Sequence, residues 1–316
     1  MKKVELHVHL DGSVRPKTIS EILNLDLLYV IDNTIVKKDN ANLKEYLSKF
    51  SLPIKAMQTK DNLTRIAKEM CEDLVKDEVI YAEVRFAPYF HTKEGLSYDE
   101  IVESVLEGIK KVPNIKVNLI LCMMRGISYN DNLNTIKCAK KYLNKGVVAL
   151  DLAGDEASYK TSDYKKLFSI ANEYNIPFTI HAGEADGASS INDAISFGTK
   201  RIGHGIRVLE DKKVLDKVIN NNIVLEVCPT SNIQTKVVDI YKNHPIKELI
   251  NNNVLVTINT DNRTVSNITL EDEYNNLRKY LGFTDDDFYK LNINAINASF
   301  ISEKEKEKIL LSFKEV

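Results

Sequence analysis

Short runs of apolar, β-branched residues alternate along the chain with longer stretches whose apolar positions recur every three to four residues. The short runs predict strands over Val4–Leu10, Val79–Ala87, Lys116–Met124, Val147–Ala153, Phe178–Ala182, Arg201–His204, Ile223–Cys228 and Leu255–Thr260. The longer stretches predict helices, among them Tyr98–Val112, Asn132–Leu143, Tyr164–Tyr174, Ile191–Phe197 and Lys212–Asn220, with Ser97 and Asp131 where N-caps belong. Some runs, such as Val147-Val148-Ala149-Leu150, are apolar throughout, as strands buried on both faces are. Such strands alternating with helices predict an α/β fold closed into a parallel (β/α)₈ barrel. An open doubly wound sheet is the alternative. It normally carries a Gly-rich phosphate turn after its first strand, and this chain has none there.

Residues 17–77 form a long excursion between the first two strands, helical in pattern over Leu43–Phe50 and Asn62–Val75. A helical cap over the barrel mouth is the expectation. The stretch from Leu270 to Phe313 is also helical in pattern. No Pro/Gly/Ser linker, low-complexity segment or internal repeat beyond the βα alternation interrupts the chain, so residues 1–316 read as a single domain.

Composition narrows the function classes. Charged residues make up 28% and apolar residues 43%, which suits a soluble globular protein with a large core. A net charge of −2 offers no basic surplus for nucleic acid or an anionic membrane. Glu5, His7, His9 and Asp11 break any apolar stretch that could act as a signal peptide, and no run of about 18 apolar residues exists. Cys71, Cys122, Cys138 and Cys228 lack short paired spacings and read as buried free thiols of a reducing cytoplasm. Cys228-Pro229 is not followed by the second cysteine of the Pro-Cys-x-x-Cys deaminase signature.

The chemistry gathers at strand ends. His7 and His9 close the first strand, and residues two apart on a strand face the same way. His181 ends the fifth strand, His204 the sixth and Asp261 the eighth. A barrel brings these ends to one face, where its active site sits. Three imidazoles and a carboxylate there suit Zn²⁺ and leave a place for water. A single strand-end histidine is more often a hydrogen-bonded structural residue, but the bland reading needs the coincidence repeated on one face. Glu184, three residues past His181, could support a ligand, be one, or act as a general acid; with ligands enough already, the acid role is favoured. Gly154, in the turn Gly154-Asp155-Glu156 after the fourth strand, would let a flat ligand approach the main chain, or is an ordinary turn glycine. His91 and His244 read as surface or structural residues. The runs Asp285-Asp286-Asp287 and Glu303-Lys304-Glu305 read as solvated helix starts and faces.

Taken together, the segments Val4-Glu5-Leu6-His7-Val8-His9-Leu10-Asp11-Gly12-Ser13, Glu83-Val84-Arg85-Phe86-Ala87-Pro88, Asp151-Leu152-Ala153-Gly154-Asp155-Glu156, His181-Ala182-Gly183-Glu184, Arg201-Ile202-Gly203-His204-Gly205, Cys228-Pro229-Thr230-Ser231-Asn232 and Asn259-Thr260-Asp261 resemble the adenosine deaminase family in order and spacing over nearly the whole chain. The resemblance implies hydrolytic deamination of adenosine and 2′-deoxyadenosine to the inosine forms and ammonia, a step of purine salvage. It implies one Zn²⁺ per chain bound by His7, His9, His181 and Asp261, with Glu184 donating a proton to purine N1 and His204 orienting or assisting the water. Gly154 would bind N3 through its backbone, Asp11 the ribose 5′-hydroxyl, and His9 would border the sugar. Tyr46, Leu47 and Phe50 match the family's hydrophobic lid, or are plain helix core. Many members have two aspartates at the eighth strand, whereas Asn262 follows Asp261 here, as in some bacterial relatives. An amide donates a hydrogen to the purine N7 acceptor at any pH, where an aspartic acid must first be protonated.

Rival readings keep the scaffold. Relatives acting on adenine or a methylated adenosine monophosphate tend to replace the Asp11 aspartate with glutamate or asparagine. A binuclear metallohydrolase usually needs a bridging lysine on the fourth strand, and Val147–Gly154 contains none. A binding protein without activity would be expected to have lost ligands.

Overall fold

The computed structural model describes residues 1–37 and 43–314. Eight parallel strands run in chain order: β1 (Lys3–His9), β2 (Val79–Phe86), β3 (Lys116–Met124), β4 (Val147–Ala153), β5 (His181–Ala182), β6 (Arg201–His204), β7 (Val224–Val227) and β8 (Leu255–Ile258). Each pairs with its sequence neighbours within two four-stranded arcs, β1-β2-β3-β4 and β5-β6-β7-β8. Two short junctions join the arcs. Val8 bridges to Asp261, with His9 N–H donating to the Asp261 carbonyl at 2.7 Å and Asp261 N–H to the His7 carbonyl at 3.0 Å. Leu150 bridges to Phe178, with Thr179 N–H donating to the Leu150 carbonyl at 3.0 Å. The strands therefore close into the expected barrel.

The expected fifth strand began at Phe178, but regular pairing covers only His181–Ala182. Before it the chain is tied to β4 by the bridge at Phe178, where Leu150 N–H donates to the Pro177 carbonyl at 2.9 Å. The other predicted strands hold to within a residue or two. β1 and β4 are buried along their whole length: β4 is apolar on both faces but for Asp151, whereas β1 alternates and buries Lys3, Glu5, His7 and His9 on one face.

Helix starts follow side-chain chemistry. Ser97 accepts from the Glu100 N–H, and Glu100 answers to the Ser97 N–H, a reciprocal cap for Tyr98–Lys110. Asp131 is not a cap, contrary to expectation. Ser128 starts that helix one turn earlier and accepts the Asp131 N–H, which places Asp131 in the first turn. The aspartates of 285–287 open a helix capped by Thr284, as expected of a solvated start.

Between β1 and β2 lie helices Pro16–Leu23, Leu27–Thr34, Leu43–Ser48, Ser51–Ala56 and Lys60–Lys76. The single helix predicted over Leu43–Phe50 stops at Ser48, and Ser51–Ala56 starts afresh. Lys60–Lys76 buries Leu63, Ile66, Ala67, Met70 and Leu74 in the core that contains Val8 and Val84. At the N-terminal ends of β1 and β2, Val4, Leu6 and Tyr81 pack with Ala295 and Ile296 of the Asp285–Ala298 helix. That end is sealed, and the opposite end carries the polar side chains. All four cysteines are buried and free. Among the described residues no helix is long and apolar enough to cross a membrane.

Candidate active site

His7, His9, His181 and Asp261 meet at the C-terminal mouth, each offering one ligand atom, all within 4.8 Å of one another. His9 Nε2 lies 3.3 Å from His181 Nε2 and 3.4 Å from an Asp261 oxygen; His7 Nε2 is 3.4 Å from that same oxygen. Asp261 reaches inward because its backbone turns left-handed, φ 61°, as does His204, φ 61°. Non-glycine residues adopt this conformation at a cost of about 1–2 kcal/mol each, which the surrounding contacts must offset.

Carboxylates behind the histidines aim them. His7 Nδ1 sits 2.9 Å from Glu226, and His181 Nδ1 2.9 Å from Asp151. Burial alone would raise both carboxyls, yet Arg85 and Arg201 hold Glu226, and His181 and Arg85 hold Asp151, well below the ordinary range. With each Nδ1–H donated to a carboxylate, the Nε2 of His7 and of His181 is the atom left to bind a metal, as a lone pair once it has given up any proton. His7 Nε2 is buried with no hydrogen-bond partner among the described residues. Lone pairs converging on a carboxylate oxygen fit a divalent cation of the zinc type. Arg85 joins the two supports: it bonds Asp151 at 2.9 Å, Glu226 at 2.8 Å and the Leu6 carbonyl at 2.6 Å, and is wholly buried. A second grouping, His7 with His204 and Cys228, suits a metal poorly, because burial keeps the Cys228 thiol well above its ordinary value and protonated.

Glu184 stands beside this cluster in the loop after β5. Burial, then the charges of Asp261 and Glu156, push its carboxyl well above the usual range. Its own contacts are loose: Thr235 Oγ1 at 3.4 Å and His204 Nε2 at 3.5 Å.

The hydrogen on His204 can be placed by following donors inward. Ile246 N–H donates to His244 Nδ1 at 3.2 Å. Burial lowers His244 to about 4, so it is neutral and carries its hydrogen on Nε2, which donates to Asn232 Oδ1 at 3.2 Å. The Asn232 amide nitrogen then donates to His204 Nδ1 at 3.1 Å. Burial and the neighbouring His7 hold His204 well below its ordinary pKa, so it is neutral too, with its hydrogen on Nε2. His204 thus presents a hydrogen, not a lone pair, to the mouth. The surface reading of His91 and His244 does not hold: both are buried structural residues. His91 packs 5.8 Å from the Phe86 ring, where burial takes it down to about 3.

A cavity of about 300 Å³ opens above these groups. His9, His181, Glu184, His204 and Asp261 form its floor, Phe90, Met124 and Gly154 one wall, and Tyr46, Leu47, Phe50 and Ile54 of the segment between β1 and β2 another. Gly154 has φ 102°, a conformation that side chains rarely adopt. At the rim, burial raises the Asp11 carboxyl to about 7 against the pull of nearby backbone N–H groups, and its Oδ1 has no hydrogen-bond partner among the described residues. Asn262 Nδ2 donates to Tyr46 OH at 2.9 Å, which leaves one of its two hydrogens for a ligand. Its Oδ1 lies against Gly12, where a Cβ would come within 1.8 Å.

The adenosine deaminase family profile matches residues 2–316. The chain belongs to the adenosine deaminase family. It is 42% identical to an adenosine deaminase of Clostridium botulinum over 100% of this chain and 98% of that one. Its structure is similar to that of the N6-methyl-AMP deaminase of Arabidopsis thaliana, with TM-score 0.89, 26% identity, and coverage of 100% and 97%. It shares its fold with the adenine deaminase of Arthrobacter aurescens, with TM-score 0.86, 24% identity, and coverage of 99% and 98%.

In this member of the adenosine deaminase family, reasoning from the sequence named the groups at the mouth and missed those behind them. Arg85, Asp151, Glu156 and Asn232 all lie inside the family-like segments, so the segments themselves were the signal. Glu226 sits in an apolar strand and His244 in a loop before Pro245; neither spacing marks them out.

Proposed function

We propose that this chain hydrolyses adenosine and 2′-deoxyadenosine to inosine and 2′-deoxyinosine with release of ammonia, using one Zn²⁺ held by His7, His9, His181 and Asp261. The observation that carries the reading is a four-atom donor cluster beside a buried, protonated carboxyl, Glu184, at the floor of a purine-sized cavity. When bound, the metal supplies a Lewis acid that brings a water towards ionisation near neutral pH.

The chain's own residues supply the rest. C6 of an aromatic purine resists attack until N1 takes a proton, and Glu184 is the group that keeps one to give. Water adds through its oxygen to C6, the C6–N6 bond breaks, one proton of the water completes the departing ammonia, and the other, released as C6–OH becomes C6=O, returns to Glu184 in place of the proton given to N1. Asp261 is the acceptor in transit for the proton that reaches the ammonia. His204 donates its Nε2 hydrogen to the attacking oxygen and steers a lone pair towards C6. The Gly154 N–H meets N3, the free hydrogen of Asn262 meets N7, and His9 borders the sugar. Tyr46, Leu47 and Phe50 exclude water from the bound purine. Residues 1–316 act as one domain, and the four buried free thiols suit a cytoplasmic location.

Asp11 sets the substrate at the rim. A purine with C6 at the floor sends its sugar outward, where Asp11 pairs with a 5′-hydroxyl and, as it ionises, repels a 5′-phosphate. Adenosine and deoxyadenosine are therefore the expected good substrates, with adenosine monophosphate and adenine poor. Loss of absorbance in the adenosine band, measured for all four compounds, tests this. Faster turnover of adenine or the monophosphate would overturn the substrate assignment. Asp11→Ala should lower kcat/KM for adenosine about ten- to a hundredfold, the worth of a hydrogen bond to a charged group, and leave a 5′-deoxy analogue nearly unaffected.

A further inference from the structure

Four successive backbone N–H groups around Glu184 converge on one side chain. Glu156 Oε1 accepts from Gly183 at 2.7 Å, and Oε2 from Glu184 at 3.0 Å, Ala185 at 2.7 Å and Asp186 at 3.1 Å. Ser190 Oγ adds a fifth donor, at 2.5 Å from Oε1. Glu156 leaves the turn after β4, is 2% exposed, and does not line the purine cavity.

The polarity of this arrangement is fixed from its far end. Arg125 has only donors, and its guanidinium gives one to Thr161 Oγ1 at 2.9 Å. Thr161 passes its hydrogen to Ser190 Oγ at 2.7 Å, and Ser190 passes its own to Glu156. Every group facing Glu156 donates, so both of its oxygens accept and none of these partners could take a hydrogen from it. Glu184, by contrast, has no side-chain contact shorter than 3.4 Å among the described residues. Its place is set by its backbone, and Glu156 sets the backbone.

We propose that Glu156 is the positioning residue for the catalytic acid, holding Glu184 in reach of purine N1 without touching substrate or the four ligand side chains. This rests on the reading of Glu184 as proton donor. Glu156→Gln replaces one acceptor with an NH₂ group that opposes a backbone N–H, so the loop must move.

The test combines the variants Glu156→Gln, Glu184→Gln and the pair, with metal content and amide hydrogen exchange measured on each. The expected result for Glu156→Gln is wild-type metal content, a nearly unchanged KM, a kcat lowered about 10²-fold, and faster exchange at the Gly183–Asp186 amides. The pair should fall little below Glu184→Gln alone, since nothing remains to be positioned. Glu156→Asp keeps both acceptors on a shorter stem and should recover part of the loss, which covers the case of a Gln variant that folds poorly. A Glu156→Gln enzyme with normal kcat, one whose loss tracks lost metal, or losses that multiply fully in the pair would each overturn the proposal. If the wild-type protein releases no ammonia from adenosine, the functional reading fails first, and the proposal falls with it.

Discussion

A carboxyl group that is to give a proton at neutral pH must first keep one. Glu184 keeps it because burial, Asp261 and Glu156 all disfavour its charge. In the proposed mechanism the protonated form is the working form, so turnover should fall as pH rises through its raised pKa, not as pH falls through an ordinary carboxylate value. Glu184→Gln can still hydrogen-bond N1 but delivers no proton. It should retain metal and purine binding and lose at least about 10²-fold in kcat; near-normal turnover would remove Glu184 from its role. The position of Glu184 was legible, three residues past a strand-end histidine. The hydrogen on His204 was not, because its tautomer is decided by a backbone N–H at residue 246, far away in sequence. Asn232→Asp tests that chain. A carboxylate cannot donate to His204 Nδ1, so the imidazole hydrogen should move to Nδ1 or a second proton should bind. Histidine ¹⁵N shifts read this directly, and kcat should fall with KM little changed. Unaltered ¹⁵N shifts would show that Asn232 does not set the tautomer.

At the scale of strands and helices, the alternation of apolar runs located all eight strands because each is buried and short, a pattern that few other elements imitate. One error has a local cause: Ser128, a turn earlier, captured the cap from Asp131. What the pattern could not show is that β2, β4 and β7 send charged side chains inward to meet. Arg85, Asp151 and Glu226 come from those three strands and tie His7 to His181 through three linked groups, Glu226, Arg85 and Asp151 in turn. Removing the guanidinium leaves two buried carboxylates without their shared partner. Breaking one buried pair typically costs about 3–5 kcal/mol. Arg85→Met should therefore lower stability by several kcal/mol, and metal affinity by about ten- to a hundredfold, the usual worth of groups that orient ligands. Competition with a chromogenic chelator measures the affinity, and urea unfolding the stability. Arg85→Lys, a single point charge, should lie between. Wild-type metal affinity in a folded Arg85→Met protein would show that the two histidines are aimed independently of it.

For the molecule as a whole, buried carboxyls set how stability depends on pH. Glu273 lies in the helix Leu270–Leu281, fully buried; its Oε1 accepts from Thr230 N–H at 2.9 Å and its Oε2 has no hydrogen-bond partner within range among the described residues. Burial raises it to about 8, against the pull of Thr230. In the unfolded chain the same group titrates near about 4.3. A carboxyl with a raised folded value stabilises fully below its unfolded value and loses that contribution as pH rises through the folded one. Asp151 and Glu226, held low, act in the opposite sense, and only in acid. His91 and His244, lowered to about 3 and 4, destabilise only below the unfolded histidine value of about 6.5. From about pH 7 to about pH 8.5 those groups are constant in both states. Glu273 should then cost on the order of 1 kcal/mol per pH unit until it ionises near 8. Glu273→Gln copies the neutral acid in shape and cannot ionise. Thermal unfolding of the metal-loaded protein across that window should show wild type losing stability and the variant losing clearly less. Parallel slopes for the two would place the alkaline loss elsewhere, with Glu5 and Asp11, each raised to about 7, the next groups to neutralise.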